Sequence, residues 1–210
     1  MTVADQPPAR LTRKGAATRA RIVHAAADLM FVRGVAGTST EDVLAAASVS
    51  NSQLYHYFAD KNALVQAVIA HQTEEILAGQ EPLLSSLDSL DALRAWRDQL
   101  VALQQQRQCT GGCPLGSLST ELADNNEAAR VALADGFARW EAPIRDGLHR
   151  MRERGELPAG TDVDNIALGV LAALQGGLLL TQAMRDVAPL QAGLTLALDR
   201  IQELTRAAAS

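Results

Sequence analysis

Residues 50–61, SNSQLYHYFADK, hold both tyrosines of the chain and one of its three phenylalanines, although the sequence is only 3% aromatic. These side chains are of the kinds that touch nucleic acid. Asparagine and glutamine amides match the N6 and N7 edge of adenine, while hydroxyl, imidazole and ammonium groups reach phosphate oxygens. On a helix, Leu54 and Phe58 fall on the inner side, Ser52 and His56 point away, and Gln53 and Tyr55 flank them. Asn51 or Gln53 is thus placed to read an adenine edge, and Tyr55, His56 and Tyr57 to sit on phosphates. Lys61, at a helix start, is placed to bind a phosphate as a point charge, and Ser50 and Ser52 complete the outward polar set. The segment offers no arginine for a guanine fork.

Catalytic spacings are missing from the sequence. It has no glycine-rich phosphate loop, no G-x-S-x-G elbow and no H-E-x-x-H, so an enzyme is not expected. Cys109 and Cys113 are the only cysteines, and with histidines scattered at 24, 56, 71 and 149 they do not make a four-ligand zinc site. No metal or other cofactor is indicated. The cysteine pair leaves two readings open, small buried apolar residues or a thiol switch.

These residues need elements to hold them. From Thr18 the apolar residues Ile22, Val23, Ala25, Ala26, Leu29 and Met30 recur at helical spacing, and Arg33-Gly34 supplies a stop. The sequence STED at 39–42 has the form of a capping box, Ser39 accepting and Asp42 reaching back, and opens a short helix ending near Ala47. Asp60 caps a longer helix running to about Ala78. A capped short helix, the turn ASVS and a polar-faced helix make a helix-turn-helix whose second helix enters a major groove, with Phe58 filling a small three-helix core. Residues 1 to about 14 read as a polar arm, where Arg10, Arg13 and Lys14 either add salt-dependent affinity or enter a minor groove, or form an idle disordered arm.

Beyond residue 80 the periodicity predicts longer helices at about 89–106, 115–123, 126–154, 162–185 and 189–207, the third kinked at Pro143. The expected fold class is all-α, with residues 1–61 as basic arm and helix-turn-helix and 62–210 as a larger helical domain entered by a connecting helix at 62–78. Charge follows the same division. Residues 1–61 carry seven basic and five acidic side chains, a net of +2, which leaves −7 for the rest of a chain of net −5. A polyanion partner is therefore expected at the basic end alone.

The segment 18–64, TRARIVHAAADLMFVRGVAGTSTEDVLAAASVSNSQLYHYFADKNAL, resembles the TetR family of transcriptional regulators. Two departures stand out: Ser48 occupies a turn position where the family usually has glycine, and Asn51 a position where a basic residue is common. Gly112 to Gly116, with Glu121 to Ala123, resemble the C-terminal domain of that family's LmrA/YxaF-like branch. The resemblance implies a repressor released from a palindromic DNA operator by a small apolar effector, with Thr40 as a further phosphate contact. It also implies an effector pocket in the larger domain, for which Trp96, Leu100, Leu103, Cys113, Leu118, Phe137, Trp140, Leu174, Gln175 and Leu178 are the candidate lining. Sparse aromatics on helices that must pack together are more often ordinary core than a ligand cage.

The stretch 166–184 is apolar almost throughout and about long enough to span a bilayer. Its Gln175, Thr181 and Gln182, and the lack of flanking basic and aromatic anchors, favour a buried helix instead. Together with 189–207 it carries more apolar surface than one subunit needs. The pair is expected to form half of a four-helix homodimer interface, with Leu168, Leu171, Gly176, Gly177, Leu194, Leu198 and Ile201 as contacts. The N-terminus does not read as a secretory signal, and two cysteines suit a reducing compartment, so the cytoplasm is expected. Two alternatives remain: a redox regulator working through Cys109 and Cys113, and a helical ligand carrier or enzyme that binds no DNA.

Overall fold

The computed structural model describes residues 11–209. Among these every regular element is helical: α1 (Arg13–Arg33), α2 (Thr40–Ala47), α3 (Asn51–Tyr57), α4 (Lys61–Ala78), α5 (Leu90–Gln106), α6 (Pro114–Leu122), α7 (Glu127–Glu153), α8 (Val163–Met184) and α9 (Ala188–Ala208), with one 3-10 turn at Leu84–Ser86. The chain divides into two compact units, Met1–Val68 and Ile69–Ser210. The boundary expected after Lys61 lies at the first residue of α4, and the two units divide further along that helix, between Val68 and Ile69.

In the first unit the expected caps are present. Ser39 accepts from the Asp42 N–H at 3.1 Å while the Asp42 carboxylate accepts from the Ser39 N–H at 3.0 Å. The hydrogen bonds from Ser39, with Arg33 nearby, hold the Asp42 carboxyl below its usual range. Asp60 accepts from the Ala63 N–H at 2.8 Å and so starts α4. Helix α1 begins earlier than its apolar spacing suggests. Thr12 accepts from the Gly15 N–H at 3.1 Å, and this cap draws Arg13 and Lys14 out of the expected arm and into the first turn. Arg10 lies outside the described residues.

Ser48 closes α2 in the left-handed region, at φ 50° and ψ 52°. An L-residue is disfavoured there, and glycine is not. Ser48→Gly is therefore expected to raise stability by about 0.5–1 kcal/mol in urea denaturation, the entropy of an unfolded glycine offsetting part of the relief. A drop in stability would mean that the serine side chain holds the turn.

In the second unit α8 packs on α9 and α7, α5 on α9, and α6 on α7. The side chains Trp96, Leu133, Ile144, Leu148 and Leu194 between them are essentially inaccessible. Helix α7 continues through Pro143 without ending. Among the described residues α8 is the one helix long and apolar enough to cross a membrane. Its inner face, Ala167, Val170, Leu174 and Leu178, is buried within the unit.

Candidate functional site

The helix α3 is held by two apolar side chains. Leu54 and Phe58 are each 3% exposed, and the Arg19 guanidinium covers the Phe58 ring at 5.2 Å from its centre. Arg21 donates from Nε to the Ala47 carbonyl at 2.9 Å, tying α1 to the end of α2. Ser50, Asn51, Ser52, Gln53, Tyr55 and His56 are all left on the open side of α3, and Thr40 stands half-buried at the start of α2. Tyr57 is half-buried, with its ring edge-on to His56 at 4.8 Å between centres. Its hydroxyl stands beside Gly15 and Thr12 in the first turn of α1.

Two of the expected contact residues also make hydrogen bonds within the chain. Gln53 is folded back onto the start of its own helix: its Oε1 accepts from the Ser50 N–H at 2.9 Å, while Ser50 Oγ accepts from the Gln53 N–H at 3.2 Å. This reciprocal cap engages the Gln53 Oε1 within its own helix, while Asn51 and Gln53 are both exposed on the open side of α3. The S-x-x-Q spacing at 50–53 already carried that signal. Lys61 Nζ donates to the carbonyls of Val35 and Thr38, both at 2.7 Å, so two of its three donors clasp the α1–α2 turn. Lys61→Met is accordingly expected to lower thermal stability while leaving the salt dependence of DNA binding unchanged. A slope of log K against log salt shallower by about 0.9 would instead make Lys61 a phosphate contact.

Of the proposed pocket lining, Trp96, Leu100, Cys113, Leu118, Trp140, Leu174 and Leu178 are buried, and Leu103, Phe137 and Gln175 are half-buried. One polar residue among them was not legible in the sequence. Gln80, 5% exposed, accepts on Oε1 from the Trp96 indole at 2.9 Å and the Trp140 indole at 3.1 Å. The bend before α6 is equally specific. Gln108, Cys109, Gly111 and Gly112 all have positive φ, and Arg185 donates to the Cys109 carbonyl at 3.2 Å. A Cβ at Gly112 would crowd the Gln182 amide, whereas one at Gly116 would meet Gln175 and Cys113 at ordinary contact distance, so Gly112 is the glycine that seats an α8 glutamine. Cys113 caps α6, its sulfur accepting from the Gly116 N–H at 3.4 Å. Burial pushes its thiol above the usual value, against hydrogen bonds from Gly116, Leu115 and Gln175, which disfavours the reactive thiolate.

The expected dimer contacts separate into two groups. Leu171, Gly177, Leu194, Leu198 and Ile201 are covered by their own chain, so they cannot form an outer face. A Cβ on Gly177 would stand 2.8 Å from the Leu190 Cα, so this glycine serves the α8–α9 contact within the subunit. Leu168 and Gly176 do face outward, beside Leu179, Leu180, Met184 and Leu196, whose exposures run from 50% to 72%. Between the outer edges of α8 and α9 lies an open groove of about 820 Å³, lined by residues such as Ile166, Gly169, Ala173, Leu196 and Arg200.

A capped two-helix turn presenting a polar helix face, followed by a larger helical unit, defines a helix-turn-helix regulator. Residues 22–68 match the model of the bacterial regulatory proteins of the tetR family, and residues 89–196 that of the tetracyclin repressor-like C-terminal domain. The chain belongs to the TetR family and is a transcriptional regulator of that family. It is 28% identical over 187 residues to an uncharacterised HTH-type regulator of Lactococcus lactis subsp. lactis, covering 85% of this chain and 90% of the relative. It is 24% identical over 185 residues to the HTH-type transcriptional repressor DhaR of Mycobacterium sp. (strain GP1), covering 87% and 91%. The regulator YxaF of Bacillus subtilis (strain 168) is 22% identical over 175 residues, covering 82% and 89%. Among solved structures, a TetR transcriptional regulator from Chloroflexus aurantiacus J-10-FL superimposes with a TM-score of 0.76 at 27% identity, covering 91% of this chain and 97% of that one.

Proposed function

We propose that the protein is a ligand-responsive repressor that binds a near-palindromic operator as a homodimer and leaves it when a small, largely apolar effector enters the larger domain. The observation that carries this reading is the open polar face of α3, held on Leu54 and Phe58 behind a capped α2. Asn51 reads an adenine edge, and Thr40, Ser50, Ser52, Tyr55, His56 and Tyr57 position the helix on the backbone. The exposed apolar row on α8 and α9 supports pairing with a second copy. Residues 1–61 then act as the operator-binding part, 62–78 as the connecting helix, and the remainder as effector and dimer domain, working in the cytoplasm. Assignment to the LmrA/YxaF-like branch rests on the 112–123 segment and on the similarity to YxaF.

The two recognition helices of such a dimer sit about one turn of DNA, roughly 34–36 Å, apart. An effector that binds better to a state with another spacing lowers DNA affinity by its differential binding, with α4 carrying the change. The test is a footprint on the DNA flanking the protein's own gene at two salt concentrations. Protection of an inverted repeat that weakens as salt rises supports the reading, and protection without sequence preference counts against it. The thiol alternative has its own arm. Release by a mild oxidant, blocked by prior alkylation, would favour it, whereas the burial of both cysteines favours indifference.

A further inference from the structure

Helix α4 ends at Ala78, inside the second unit, and two residues later Gln80 is buried there. Its amide oxygen is fully committed, and its nitrogen ties it to α4. Nε2 donates to the Ile76 carbonyl in the last turn of α4 at 2.9 Å, and Oε1 accepts from Trp96 on α5 at 2.9 Å and from Trp140 on α7 at 3.1 Å. Both lone pairs of the carbonyl oxygen are thereby used, and the network leaves one orientation for the amide. The same stretch of α4 meets α7 at a second place. Thr73 lies against Gly136, where a Cβ would stand 2.7 Å from the Thr73 hydroxyl.

We propose that Gln80 is a positioning residue that couples the effector domain to α4: an effector wedged among α5 and α7 shifts α4 by breaking or rebuilding the Trp96–Gln80–Trp140 junction. The proposal rests on the operator-binding reading above and deepens it. Three helix segments converge on one buried amide, where an unmade hydrogen bond is costly. A displacement of either indole is therefore passed to the end of α4. By linkage the coupling runs both ways, so DNA that selects one arrangement of α4 must alter the junction.

The chain supplies its own reporter, because Trp96 and Trp140 are its only two tryptophans and both donate to Gln80. The experiment follows tryptophan emission of the full-length protein, excited at the red edge of indole absorption, during titration with an operator duplex obtained by selection. A scrambled duplex of equal length is the control. A saturating change in emission with the operator duplex alone is expected. In Gln80→Met that change is lost, while the variant still binds the operator. Gln80→Glu, which when protonated keeps an acceptor oxygen for the two indoles and a donor for the Ile76 carbonyl, retains it. Operator binding without any change in wild-type emission overturns the coupling even if the Gln80 variants fail to fold, since a purely structural knot is silent to DNA. Retention of the full change in a folded Gln80→Met overturns it as well. Equal binding of both duplexes removes the operator-binding reading itself, and the coupling with it.

Discussion

Replacing Leu168 and Leu196 together by aspartate is expected to give a folded monomer that binds operator DNA at least about 100-fold more weakly than the native protein, the low end of what linking two half-site contacts contributes. The two leucines are 56% and 72% exposed in the single chain, so the subunit itself loses almost nothing. In a dimer, each aspartate would carry an unpaired charge into a desolvated apolar contact, which is strongly unfavourable. Sedimentation gives the mass and fluorescence anisotropy the affinity. A double variant that remains dimeric would place the subunit contact elsewhere. The contrast with Leu194 and Leu198 is informative: those side chains are buried within their own chain, and aspartate there would unfold it.

Trp96→Ala is expected to destabilise the second unit by about 3–5 kcal/mol. Trp96 is completely inaccessible, so its removal leaves a large cavity among α5, α7 and the segment around Gln80, and one acceptor site of Gln80 loses its donor. Urea denaturation of the variant measures this directly. Phe137→Ala, at a half-buried position on the same domain, is expected to cost markedly less. A loss below about 1 kcal/mol for Trp96→Ala would show that the indole lines open space.

Much of the first unit could be read from its caps, because a cap is local: S-T-E-D at 39–42 and Asp60 before α4 name both partners within four residues. The inward pair Leu54 and Phe58 followed from helical spacing for the same reason. The start of α1 did not, because residues 12–20 contain no apolar periodicity and Thr12 acts through a single hydrogen bond. Lys61 and Gln80 were illegible in a different way. Each meets partners at least sixteen positions away or across a turn whose path the sequence does not encode locally. On α8 the difficulty was excess of signal. A helix apolar on nearly every side has no stripe to mark its inner face, so buried Leu171 and exposed Leu168 looked alike until α7 and α9 were in place.

The proposed function requires paired α3 helices to select one DNA sequence. Selection of duplexes from a random pool by the full-length protein, repeated at two salt concentrations, tests it most directly. Enrichment of one inverted repeat, with half-site centres about one helical turn apart and affinity that falls as salt rises, is the predicted result. Duplexes retained without any common sequence, or no retention at either salt, would contradict it.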